Sequence, residues 1–99
     1  MSVIMMLRVA GDPAELEAFA QENEEMIQRI AADGKSKGAI HHRFLGGDGE
    51  IVALDEWPSE EAFQAFFDGQ EEIPNVMQAV AKGEPEVTFL QPLDTRDEF

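Results

Sequence analysis

The sequence predicts an α+β domain of the ferredoxin-like kind, β-α-β-β-α-β, with a four-stranded antiparallel sheet carrying both helices on one face. Three observations point there. Apolar runs near either end, residues 3–10 and 85–91, read as the first and last strands. Residues 37–45 and 50–57 alternate in character on either side of Gly46-Gly47-Asp48-Gly49, a strong hairpin signal. Two segments between the strands carry apolar residues at helical spacing.

The first strand, VIMMLRVA, is nearly continuous in apolar character and ends at Gly11, which suits a strand with both faces covered. The first helix follows. Asp12 is a good N-cap, Pro13 suits the first helical position, and Glu15 completes a capping box. Leu16, Phe19, Ala20, Met26, Ile27, Ile30 and Ala31 form its apolar stripe, and Gly34 is the expected stop. After the hairpin, Pro58 and Ser59 punctuate the chain. Ser59 caps a second helix bearing Phe63, Phe66 and Phe67 on one side. Pro74 is expected to break or kink it, and the segment NVMQAVAKG continues as a further helical piece. PEVTFLQ is the last strand, residues 1–93 are expected to form a single domain, and residues 94–99 a polar tail that is loose or crosses to a partner.

Composition narrows the function. The chain has 99 residues, 43% of them hydrophobic, which fits one ordered domain with a modest core. It has no cysteine, so disulfides, thiolate metal sites and thiol nucleophiles are excluded. Twenty-one acids against seven Lys and Arg give a net charge of −14. That surface repels phosphates and anionic lipid, so neither nucleic acid nor membrane is an expected partner. The opening run is too short to span a bilayer and lacks a basic flank, and the expected location is the cytoplasm.

Helices can cover only one face of a four-stranded sheet. Strand 1 and parts of the others are apolar on both faces, so a second copy packed sheet to sheet is expected, making a symmetric homodimer.

The candidate site residues come from the hairpin. His41 and His42 are adjacent, as are Asp55 and Glu56, and neighbours on a strand point to opposite faces. If Gly46 pairs with Gly49, then Ile40, His42 and Phe44 share a face with Ile51, Ala53, Asp55 and Trp57, under the helices. On this register His42 and Asp55 lie diagonally across the strands, where a carboxylate orients the imidazole and the pair can act as a general base. Trp57, Phe63 and Phe66 would line an apolar pocket above them. A plainer alternative is a partly buried histidine satisfied by Asp55 and water. His41, Arg43 and Glu56 fall on the opposite face with Arg8, and read as a polar network inside the dimer in which Glu56 is the acceptor. No metal site is expected, since no third ligand joins His42 and Asp55.

The segment Leu54-Asp55-Glu56-Trp57-Pro58-Ser59-Glu60-Glu61-Ala62-Phe63 resembles the strand end and helix start of the dimeric α+β barrel superfamily, in particular its antibiotic-biosynthesis-monooxygenase-like domains. The resemblance in element order covers residues 3–92. It implies a small-molecule pocket between sheet and helices, and some relatives oxidise polyketide-like quinols with no bound cofactor; none is expected here. Haem-degrading relatives use an Asn on the first strand, an aromatic on the second helix and a His ligand beyond it. The matching positions hold Leu7, Phe66 and Asn75, so the Asn and the His are missing and that chemistry is not expected. Leu7 and Asn75 are then pocket-shaping positions. The resemblance implies a small-molecule-binding dimer, a cofactor-independent monooxygenase or related isomerase acting on an aromatic or polyketide-like substrate. The alternative is a non-catalytic ligand-binding or dimerisation protein.

Overall fold

A computed structural model describes residues 2–99. Strand β1 (Val3–Ala10) leads into helices α1 (Pro13–Glu22) and α2 (Glu24–Ser36). The hairpin β2 (His41–Gly47) and β3 (Glu50–Trp57) follows, then helices α3 (Glu60–Gly69) and α4 (Ile73–Val80), and finally β4 (Glu86–Leu90). The sheet is antiparallel throughout with order β2-β3-β1-β4, the order of a ferredoxin-like fold. The first expected helix is a pair of shorter ones, and the second breaks before a further helical segment, as expected.

The first break falls at Asn23, which has φ −126° and ψ 41°. Its backbone N–H and its side-chain amide both donate to the Phe19 carbonyl, at 2.9 Å each. A residue that doubles its bonds to the turn behind it ends that helix, while its own carbonyl starts the next by accepting from Ile27 N. In the second pair the chain leaves α3 at Gln70 and re-enters a helix at Ile73, with Pro74 in the first turn of α4. The break expected at Pro74 is present, with the proline placed to start the new helix.

The caps are side-chain oxygens on exposed turns. Asp12 Oδ1 accepts from Ala14 N at 2.9 Å, and Ser59 Oγ accepts from Ala62 N at 3.1 Å. Glu15 does not close a capping box. Its carboxylate lies near Lys82 Nζ, at 3.7 Å. Nor does Gly34 stop the first helical pair: α2 runs through it to Ser36, and the reversal belongs to Gly38, at φ 111°. Gly38 N–H donates to Lys35 O and Ala39 N–H to Gly34 O, the paired bonds of a Schellman motif. That turn delivers the chain directly to the start of β2.

Strand parity sorts the side chains. Val3, Met5, Leu7 and Val9 of β1 and Ile51, Ala53, Asp55 and Trp57 of β3 are all buried beneath the helices. Leu16, Phe63, Phe66, Val76 and Val80 meet them from above. On the opposite face Ile4, Met6, Val52 and Leu54 are only half-buried, while Leu45 and Leu90 are exposed. The hairpin register differs from expectation. Gly47 pairs with Glu50 across the two-residue turn Asp48-Gly49, so His42 faces Asp55 directly and not diagonally. The slip is of two residues, and a slip of two keeps every side chain on its face.

Gly46 lies against α1: a Cβ built there would stand 2.7 Å from Pro13 Cβ. Gly46→Ala should therefore cost about 1–3 kcal/mol, since neither the proline ring nor the strand can yield freely. Gly69→Ala, where a Cβ meets nothing within 4 Å, is the matched control and should stay within about 0.5 kcal/mol of wild type. Urea denaturation of both variants checks the pair.

Candidate functional site

A cavity of about 430 Å³ lies between the sheet and the helices. Its floor is the apolar row of β1 and β3, including Met5, Leu7, Ala53 and Trp57, and its roof comes from Ile27, Ile30 and Gly34 of α2 and from Phe63, Phe66, Val76 and Met77 of α3 and α4. The volume falls within the ~300–1,000 Å³ usual for small-molecule sites. The β2 edge forms the mouth, because Ile40, His42 and Phe44 line the cavity yet remain exposed.

The aromatic group at the deep end is built on one indole. Trp57 is 1% exposed. It meets Phe63 edge-on at 5.8 Å between ring centroids and Phe66 at 5.2 Å. Phe63 in turn stacks on Phe67 at 5.4 Å and meets Phe89 of β4 edge-on at 5.7 Å.

One charged residue is buried in this apolar row. Asp55 is 8% exposed and accepts two hydrogen bonds, one on each oxygen. Trp57 Nε1–H donates to Oδ2 at 3.1 Å, and His42 Nδ1 lies 2.6 Å from Oδ1. An ionised carboxylate only accepts, so Nδ1 carries the hydrogen. In the neutral ring the lone pair then resides on Nε2, on a side chain that is 44% exposed at the cavity mouth. Phe44 packs edge-on against that imidazole at 4.9 Å and limits its rotation. This is a base–orienter arrangement in which the orienter is locked from behind by an indole. Among the described residues no three His, Asp or Glu side chains converge as a metal site.

Of the pocket residues read from the sequence, Leu7, Trp57, Phe63 and Phe66 line this cavity, and Asn75 does not. Asn75 is exposed, because α4 presents Ile73, Val76, Met77 and Val80 inward at i, i+3, i+4 and i+7. The polar set on the other sheet face is described within one protomer. Arg8 pairs with Glu50 at 3.1 Å, and Glu56 accepts from Ser2 Oγ. His41 lies opposite Glu56 and Arg43 opposite Leu54, both exposed, with no side-chain bond joining them to Arg8 or Glu56 among the described residues. The four share a face without forming one network, since Arg8 is paired with Val52 on β3 and reaches the acid diagonally beyond it.

A set the sequence did not reveal holds the roof. Arg29 of α2 donates to both oxygens of Glu72, at 2.6 and 3.3 Å. Gln70 donates to Asp33 at 2.9 Å and accepts from Glu72 N at 2.6 Å. These four groups tie α2 to the α3–α4 connection. Partners 37 and 43 residues apart have no local signature. Glu72 is held below the ordinary carboxylate range by Arg29, first through the hydrogen bond and then through charge. Asp33 is held low mainly by the hydrogen bond from Lys37, with Gln70 adding to it.

The fold recurs in solved structures. SnoaB, a cofactor-independent oxygenase from Streptomyces nogalater, is similar at a TM-score of 0.66 and 21% identity over 98% of each chain. Rv0793 from Mycobacterium tuberculosis gives 0.64 at 20% identity over 95% of this chain and 97% of that one. A structure described as an antibiotic biosynthesis monooxygenase gives 0.67 at 10% identity, over 93% and 99%. No protein-family model matches the chain, and no curated protein sequence does. At these identities the likeness is one of fold. No helix is long and apolar enough to cross a membrane among the described residues.

The roof contacts should be sensitive to acid. A depressed carboxylate binds protons more readily when unfolded, so its contribution is present above the ordinary value of 4.5 for Glu72 and is lost as pH falls below it. Arg29→Gln removes that contribution. The Tm gap between wild type and Arg29→Gln should be open at about pH 6 and should narrow as the pH falls below 4.5. Thermal melts across that range measure it.

Proposed function

Because the chain carries the fold of the antibiotic-biosynthesis-monooxygenase-like structures, we propose that its cavity is a small-molecule site and that the protein is a cofactor-independent oxygenase acting on an aromatic or polyketide-like substrate. The observation that supports this most directly is the His42–Asp55 pair at 2.6 Å on the lip of an apolar, aromatic-ended cavity. His41 also borders the cavity, but among the described residues no carboxylate is bonded to its ring.

The chemistry follows from the parts. A phenol or an enolisable ketone enters with its ring against Trp57, Phe63 and Phe66. His42 Nε2 removes the acidic proton, and Asp55 supports the imidazolium that results. The electron-rich anion left behind reacts with molecular oxygen. With an anthrone as probe, one O₂ converts the ring CH₂ to a carbonyl and releases one water, so the balance closes without a further oxidant or reductant. Exclusion of water by the apolar walls favours the anion's reaction with oxygen over its reprotonation.

A second reading is a ligand-binding protein without turnover. Asp55 supports it, because an acid already satisfied by Trp57 and His42 also makes sense as a structural anchor. Asp55→Asn separates the two. The amide oxygen can still accept from Trp57, but its NH₂ must donate to His42 Nδ1, which moves the ring hydrogen to Nε2 and removes the base. Oxygen uptake with anthrone should fall by about 10²–10⁴-fold, while nitrogen NMR of His42 reports the tautomer change independently of activity. Wild-type protein with no uptake above the buffer rate would leave only the ligand-binding reading.

We also propose that the protein is a homodimer closed by the bare sheet face, where Ile4, Met6, Val52 and Leu54 form a half-buried apolar patch between β1 and β3. Leu54→Glu places an unpaired carboxylate in that patch. Sedimentation should report a dimer for wild type and a monomer for the variant, with helix content unchanged.

A further inference from the structure

We infer that the cavity selects a flat aromatic ligand bearing a negative charge, and that Lys35 at its mouth is the residue that reads that charge. The inference rests on the cavity being a ligand site, as proposed above, and names the class of ligand it takes.

The argument begins with the cations. The chain has seven Lys and Arg residues. Arg8, Arg29, Lys37, Lys82 and Arg96 each lie in an ion pair with a carboxylate among the described residues. Lys35 and Arg43 are the two that do not. Arg43 is on β2 opposite Leu54, on the sheet face away from the helices. Lys35 lines the cavity. Among the described residues it is the only Lys or Arg that does so, in a wall whose other ionisable side chains are His41, His42 and Asp55.

Its place is fixed by the turn that follows α2. Gly38 N–H holds Lys35 O, and Ala39 N–H holds Gly34 O, so the last turn of α2 sits over the start of β2. Lys35, Ile40 and His42 all border the cavity at this turn, and the neighbouring Gly34 lies against Phe66 and Trp57. A ligand with its rings against Trp57 and Phe66 lies beside this turn, where Lys35 can meet its charged group. Asp33, the acid nearest in sequence, is bonded to Lys37 and Gln70 and makes no ion pair with Lys35. An ammonium left unpaired beside an apolar cavity, in a chain that has three times as many acids as bases, is a ready acceptor of a ligand anion.

The global field makes the test sharp. At a net charge of −14 the surface as a whole disfavours an anion, so any preference for one has to arise locally. Two fluorescent probes with the same ring scaffold serve: anilinonaphthalene sulfonate, which is an anion, and phenylnaphthylamine, which is neutral. Trp57 is the only tryptophan and lies in the cavity wall, so energy transfer from it reports binding at this site.

Wild type should bind the sulfonate more tightly than the amine, and raising the salt should weaken the sulfonate alone. Lys35→Met keeps a helix-forming residue of similar length on an exposed turn. It should weaken the sulfonate about five- to tenfold and leave the amine unchanged, with Lys35→Arg restoring the preference. Equal affinities in wild type, or a preference that survives Lys35→Met, would overturn the assignment to Lys35. If the amine still binds beside Trp57 in that case, the ligand site stands and only the charge selection falls. If neither probe draws energy from Trp57, the cavity reading and this inference fail together.

Discussion

The site depends on a buried carboxylate that must be given hydrogen bonds. Asp55 sits in the inward row of β3 between Ala53 and Trp57, where an unpaired charge would cost several kcal/mol. The strand supplies one donor from its own face, since the indole two residues on reaches Oδ2. The neighbouring strand supplies the other through His42, its direct cross-strand partner. Satisfying Asp55 thus fixes the indole plane, the imidazole orientation and the hydrogen on Nδ1 in one arrangement. The aromatic end of the cavity and its polar lip are coupled through that single residue.

The helices show what such a site requires of the scaffold. A roof packed fully onto the sheet would leave no cavity, so α2 is held from its ends and edges. A Schellman turn anchors one end to β2, and polar contacts from Arg29 and Asp33 reach the α3–α4 connection. Those contacts are solvent-facing and individually weak. They position the roof without filling the space beneath it, in keeping with binding sites being drawn from the less stable parts of a fold.

The sequence disclosed what depends on periodicity and hid what depends on distant pairing. Alternation in β1 and β3 identified the helix-facing row, and even the misjudged hairpin register left His42 and Asp55 on one face because the error was even. Asn23 was not legible as a helix break, since an Asn within an apolar-periodic stretch reads as a surface position until its side chain is seen bonded to Phe19 O. Asn75 was drawn into the pocket by alignment with relatives, whereas the phase of α4 is set by Ile73, Val76, Met77 and Val80. Within one protomer Arg8 meets Glu50, because that acid lies nearer than Glu56 along the same row. The tie between α2 and the α3–α4 connection left no trace in the sequence, because neither composition nor spacing links Arg29 to Glu72.

The two-residue turn Asp48-Gly49 constrains how this chain can vary. Gly49 accepts a φ of 73°, closing β2 onto β3 with no spare residue. An insertion or deletion of one residue within β2 would turn the strand over beyond that point, carrying His42 to the outer face and His41 inward. The replacement would still be a histidine: a deletion sets His41 directly opposite Asp55, whereas an insertion leaves it two positions away along the same face. Two adjacent histidines thus give the strand a partial tolerance to a slip that would otherwise empty the position. Length changes in pairs preserve the face, so lineages that keep the imidazole beside the carboxylate are expected to vary in this hairpin by even steps.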